Sequence, residues 1–300
     1  MLSAIILLAA ANLLDDPNLD PLDFVYKCLL PRAAAISFLS AALLLTRSIT
    51  NVVWRNSMPR FGRKALLVSG SSFLFATSCV YRALNVADEG AFLCRSRPTV
   101  FNAPVSGRMV ATIGELALVV QMTAYLDDTA RSLGVARAFS TASPMSTLAP
   151  ALVAETFSWL GVLTGISKFF CLEYCCWVFI ATIWAWDAAE LCHRSRRAAD
   201  TLMHAIIVVV SLALVFFNLL HELPHFLHAV PLNGAGGSDA MVPASDEWVP
   251  TMSARPTPFS CTQHADSPIW LTRLPFFVTY FVGASMCSAI LAARHQVRSA

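Results

Sequence analysis

Charge is what this sequence has least of. Only 13% of its 300 residues are Asp, Glu, Lys or Arg, against about 25% in ordinary soluble domains. Hydrophobic residues make up 56% and the mean hydropathy is +0.61. Water is therefore not the main solvent of the folded chain. The formal net charge is only +2, and no dense Lys/Arg stripe interleaved with aromatics is present, which argues against nucleic acid as a partner. Membrane lipid is the expected surrounding.

Other absences narrow the chemistry. Cys28, Cys79, Cys94, Cys171, Cys175, Cys176, Cys192, Cys261 and Cys287 form no CxxC pair of zinc-site spacing, and most sit in apolar runs, where a thiol serves as a small hydrophobe. No Gly-rich phosphate loop, dinucleotide fingerprint or nucleophile elbow stands where it would have meaning. The last apolar runs hold no lysine for a retinal-type Schiff base. The sequence thus specifies no cofactor and no metal. It also lacks an internal repeat, which weighs against transporter folds built from duplicated halves.

What is present is a series of long apolar runs: Phe24–Thr46, Ala65–Tyr81, Met109–Leu126, Ala151–Ile166, Phe169–Trp186, Leu202–Leu220 and Trp270–Ala292. Each is close to the length that crosses a hydrocarbon core. Period-2 alternation is absent, so backbone groups in lipid are satisfied only as helices. The fold class expected is an all-α, polytopic transmembrane bundle of about seven to eight spans, one domain over residues 1–300. The uncertainty in the count is Met1–Leu14, which is apolar but shorter than the ~20 residues of a span and lacks a basic flank. It reads as a short first helix or a degraded signal anchor. Residues 231–268, rich in Gly, Pro, Ser and Asp, read as a long flexible extramembrane loop.

Basic residues set the orientation. Arg47, Arg55, Arg60, Arg63 and Lys64 in one loop, Arg194, Arg196 and Arg197 in another, and Arg294 and Arg298 in the tail all fall on one side, which the positive-inside rule makes cytoplasmic or its equivalent. Cys94 and Cys261 then share the outer side, a candidate disulfide if that compartment is oxidising. The outer loop from Arg82 to Arg108 is unusual in carrying four arginines.

Ionisable residues inside spans cost about 2.5–3.5 kcal/mol each on insertion scales and by default face the bundle interior. Glu115, Glu155 and Glu173 qualify. Glu155 shares a helical stripe with Ser158, Gly161 and Gly165, small residues that let helices approach. Glu115 follows Arg108 by seven residues on one face, with Thr112 between them. Glu173 shares a face with Cys176, Trp177 and Asp187. The plain alternative is that the three acids only pair helices together. His221-Glu222-Leu223-Pro224-His225 matches H-E-x-x-H, a zinc-binding pattern on a helix, but Pro224 breaks the helix the pattern requires. Polar capping of a helix end is the better reading of the histidines.

Three stretches, Cys79-Val-Tyr-Arg82, Gly107-Arg108-Met-Val-Ala-Thr112-Ile-Gly-Glu115-Leu116 and Ala154-Glu155-Thr-Phe-Ser158-Trp159, resemble an uncharacterised family of polytopic membrane proteins. The resemblance implies functional weight for Arg82, Glu115, Glu155, Glu173 and Glu222, the last through an acid-x-Pro pattern, and less for His221 and His225. It implies no activity. The cysteine-rich surroundings of Glu173 depart from the pattern.

Three classes of function follow. The first is a membrane-embedded enzyme acting on a lipid or other hydrophobic substrate, with Glu115, Glu173 and Glu155 as acid/base candidates and Arg82, Arg108 and Glu222 as substrate-binding candidates. The second is a proton-coupled transporter or carrier with the acids as relay steps. The third is a structural subunit of a membrane complex. Acids stepped through the depth of the bundle favour the carrier, and acids gathered at one depth favour the enzyme.

Overall fold

A computed structural model describes residues 30–54, 59–84, 87–88, 91–92, 104–135, 145–164, 166–224, 226–227 and 284–299. They form seven helices: α1 (Leu30–Trp54), α2 (Pro59–Leu84), α3 (Pro104–Ser132), α4 (Met145–Thr164), α5 (Ser167–Arg194), α6 (Ala198–Phe217), which passes into a π turn at Asn218–Glu222, and α7 (Ser285–Ser299). A two-residue antiparallel bridge, Ala87–Asp88 with Ala91–Phe92, lies between α2 and α3. Six helical stretches are long and apolar enough to cross a membrane: Arg32–Thr50, Lys64–Ala83, Val105–Ser132, Met145–Thr164, Lys168–Arg194 and Ala198–Glu222.

Most of these helices outrun the apolar sequences that announce them. The α3 helix starts at Pro104, a residue suited to a first turn because its missing N–H has no intrahelical role there, so Arg108 is helical rather than in a loop. The α4 helix begins at Met145 and runs through Pro150, which forgoes one backbone bond toward Ser146. The α5 helix continues past Trp186 to Arg194, where Glu190 and Arg194 form an i,i+4 ion pair of 3.0 Å. At the end of α3, Gly134 takes φ +64° and the Val135 N–H reaches Ala130 O at 3.1 Å, a left-handed closure that glycine supplies without strain.

The packing is inverted relative to a soluble protein. Leu43 is 72% and Leu220 68% exposed, with Leu39, Val209, Phe179 and Trp186 also outward, while Ser69, Ser72, Gln121 and Ser158 are buried. An apolar exterior over an interior that mixes an apolar core with buried polar side chains is stable in lipid, where apolar side chains gain nothing by hiding from the solvent. The α3 helix is central, touching α2, α4, α5 and α7. Where α2 crosses it, a Cβ on Gly114 would fall 2.4 Å from Ser78 Cβ, so that crossing requires glycine.

The ends of the bundle differ. One gathers Lys64, Arg131, Arg194, Arg196, Arg197 and Arg294, held by the ion pairs Lys64–Asp128 (2.5 Å) and Arg294–Asp200 (2.7 Å). We call this the basic end and the opposite one the distal end. Residues 1–29, the 231–268 loop, most of the Trp270–Ala292 run, and Cys94, Cys261 and His225 lie outside the described residues.

Candidate functional site

Arg108 enters from the first turns of α3 near the distal end. A basic side chain so placed usually reaches out toward the membrane surface. Arg108 reaches inward instead. Its Nη2 lies 2.8 Å from Glu115 Oε2, two turns further along the same helix, and 2.6 Å from Glu155 Oε2 on α4, while its Nη1 lies 3.3 Å from Glu173 Oε1 on α5. Arg82, in the last turn of α2, adds a contact of 3.3 Å from Nη1 to the other oxygen of Glu115. Four helices thus converge on one ionic cluster, and its three acids are all buried.

Glu155 is held by more than charge. The Thr112 hydroxyl donates to its Oε2 at 2.5 Å, and Thr112 Oγ1 in turn accepts from the Trp159 indole N–H at 3.1 Å. Thr112 lies one turn from both Arg108 and Glu115, and Trp159 one turn beyond Glu155, so two helical repeats interlock at this point. Glu155 Oε1 and Arg108 Nε, both buried, have no hydrogen-bond partner among the described residues. Formally, and among the described residues, the three carboxylates outnumber the two guanidiniums by one charge. Buried ionic groups are normally paired and fully hydrogen-bonded, so this cluster carries an unmet valence.

The six residues singled out by sequence separate into two groups. Glu115, Glu155, Glu173, Arg82 and Arg108 meet in the single cluster. Glu222 is buried elsewhere on the bundle's distal side, in the π turn against α5. His221, its neighbour, is exposed and stacks on Phe217 with ring centroids 5.4 Å apart. The acid and the histidine of the H-E-x-x-H string thus occupy opposite environments. Among the described residues no group of three or more His, Cys, Asp or Glu is arranged to hold a metal ion.

Trp159 and Asn218 were not singled out as site residues by sequence reasoning. Tryptophan in a membrane span reads as an aromatic packing residue, and its donor role shows only once Thr112 stands opposite. Asn218 is buried in the π turn, and the one available signal was a lone amide inside an otherwise apolar run.

These helices make the chain a multi-pass integral membrane protein, and no family model, curated protein or solved structure matches it.

Proposed function

We propose that the protein is a membrane-embedded enzyme that exchanges a proton with a lipid-soluble substrate at the Glu115, Glu155 and Glu173 cluster, with Glu155 as the acid–base group. The observation that carries this reading is the Oε1 of Glu155, buried and without a hydrogen-bond partner among the described residues, in a cluster where those residues place three carboxylates against two guanidiniums. In a low-dielectric interior such an oxygen calls for one more positive charge, supplied by a proton or by the substrate. Thr112 and Trp159 fix the other oxygen and so aim the bare one.

Glu115, served by both arginines, is the charge anchor. Glu173, whose contact with Arg108 is the longest of the three at 3.3 Å, is the second proton-exchanging candidate. The role of holding an anionic headgroup falls to Arg82, the more exposed of the two guanidiniums, with a side chain 20% exposed against 12% for Arg108. Glu155 lies about halfway along α4, a depth that a lipid-soluble molecule reaches from within the bilayer.

A proton-coupled carrier is the second reading. It is favoured by buried hydroxyls that continue along α2 from Arg82 toward the basic end, namely Ser78, Ser72 and Ser69, before Lys64. Against it, the acids gather around one arginine rather than standing in steps.

The test is native mass spectrometry and thermal melting of the detergent-purified protein with Glu155→Gln and Glu115→Gln. The wild type is expected to retain a specific lipid-soluble molecule that Glu155→Gln loses or leaves unconverted. Either substitution balances the formal charge, but Glu155→Gln leaves both arginines their contact with Glu115 and is expected to melt at or above wild type, whereas Glu115→Gln removes the acid that contacts both arginines and melts lower. If nothing is retained and both variants destabilise alike, the acids only hold helices together.

A further inference from the structure

Beyond Phe217 the α6 helix widens into the π turn Asn218–Glu222, where the Leu223 N–H reaches back five residues to Asn218 O. Such turns are rare and recur at functional sites. This one sets which side chains face inward: Asn218 and Glu222 are buried, whereas Leu219, Leu220 and His221 between them are exposed. Asn218 is only 1% exposed, yet neither its Oδ1 nor its Nδ2 has a hydrogen-bond partner among the described residues. A primary amide brings one acceptor and two donors, and leaving both ends bare in an apolar interior is disfavoured. For helix packing alone, an apolar side chain of the same size would serve better.

The turn packs on α5, the helix that carries Glu173. Phe226 packs on Phe170 and Tyr174 of α5, with centroids 4.9 and 5.5 Å away, and Leu223 joins the same apolar group. Since α5 and α6 are antiparallel neighbours, stepping back from Phe226 to Asn218 runs alongside α5 from Phe170 toward the basic end, past the level of Glu173. Trp177 is buried one turn from Glu173 on the same face of α5. Asn218 therefore lies deeper in the bundle than Glu173.

We propose that Asn218 binds a hydroxyl group on a lipid-soluble ligand whose reacting part lies at Glu155. A hydroxyl both donates to Oδ1 and accepts from Nδ2. An ether or ketone leaves Oδ1 bare, an ammonium leaves Nδ2 bare, and a phosphate or carboxylate adds negative charge beside a cluster already rich in it. Asn218 then sets specificity, because a buried polar group left unpaired rejects analogues that lack its partner. This inference rests on the carboxylate cluster being a substrate site.

The experiment uses the full-length protein in detergent, with 1-hexadecanol and its methyl ether as probes and melting followed by tryptophan fluorescence. Without probe, Asn218→Leu is expected to melt above wild type, because it removes two unanswered polar ends. Hexadecanol is expected to raise the melting temperature of wild type and of Glu155→Gln, and the methyl ether to leave both unchanged. Asn218→Leu should weaken the response to hexadecanol by about tenfold or more in half-saturating concentration. Asn218→Asp, close to isosteric but lacking the amide donors, should lose the response without a change of shape. An Asn218→Leu variant that melts below wild type, or responds to the alcohol as wild type does, overturns the proposal, since the amide is then bonded within the protein or idle. Equal wild-type responses to alcohol and ether overturn it as well. Failure of the acid–base reading looks different: alcohol selectivity is present and depends on Asn218, while Glu155→Gln changes neither the retained molecule nor its conversion.

Discussion

The charged cluster of the distal half and the seam between α1, α2, α3 and α7 are both polar and both buried, yet they are built on different terms. The seam is neutral and closed. Ser288 donates to Gln121 Oε1 at 2.5 Å and lies 3.0 Å from Ser72 Oγ, while the Gln121 amide returns a bond of 2.8 Å to Ser288 O. Ser285 meets Ser37 at 3.0 Å and Ser48 meets Ser69 at 2.9 Å. Small side chains let the helices approach, and the hydrogen bonds fix them. The seam is fully explained by helix association. The cluster is charged and uneven: among the described residues it has one more acid than it has guanidiniums, and two of its buried atoms lack partners. What helix association does not explain is the part of the molecule in which to look for chemistry.

The sharpest way to break this contrast is Arg108→Met. It removes the hub that Glu155 and Glu173 share and leaves Glu115 its contact with Arg82, and stranding even one member of a buried ion pair costs about 3–5 kcal/mol. The expected outcome is little or no monodisperse protein after detergent extraction. Adding Glu115→Gln, Glu155→Gln and Glu173→Gln to the same chain should recover most of the yield, because nothing charged is then left for Arg108 to answer. An Arg108→Met protein that extracts and melts like wild type would show that the cluster is held by something other than ion pairing.

Gln121→Leu probes the other side of the comparison. Interhelical hydrogen bonds in membranes contribute on average ~0.6 kcal/mol and at most about 1.7, and Gln121 makes two with Ser288, so a loss of about 1 kcal/mol is expected, read as a modest fall in melting temperature. Retention of any bound molecule should be unchanged. Retention lost in Gln121→Leu at near-normal stability would make the seam part of the functional site and bring the carrier reading forward.

The two regions were not equally legible in the sequence. The intramembrane acids could be picked out residue by residue, because a carboxylate in a long apolar run has few explanations, and the shared face of Arg108, Thr112 and Glu115 follows from helical spacing alone. Their meeting at Arg108 did not follow, since it depends on how α4 and α5 turn against α3, and interhelical packing leaves no periodic trace. Arg108 itself reads as a loop residue because charge marks the edge of an apolar run, whereas the helix starts four residues earlier at Pro104. The same effect hid the extension of α5 on to Arg194, through Asp187 and Glu190, whereas the start of α4 at Met145 was hidden by Pro150, which reads as a helix boundary. In the seam, serine is nearly neutral on any hydropathy scale, so Ser72 and Ser288 look like filler until they face each other. The π turn at Asn218 was invisible, because no residue pattern distinguishes it from the α-helix it continues.

The smallest effect belongs to a third kind of polar contact, the Lys64–Asp128 pair at the basic end. Its 2.5 Å separation is as short as any in the cluster, so distance alone would rank it with the Arg108 contacts. Exposure argues otherwise: the Lys64 side chain is 43% open, and ion pairs in contact with water typically contribute less than about 1 kcal/mol and weaken with salt. Lys64→Met is therefore expected to lower the melting temperature slightly at low ionic strength and not at all at high ionic strength, while Arg108→Met remains damaging in both. If Lys64→Met were instead as costly as Gln121→Leu regardless of salt, the basic end would be shielded from water, and the ordering argued here from exposure rather than from distance would have to be reversed.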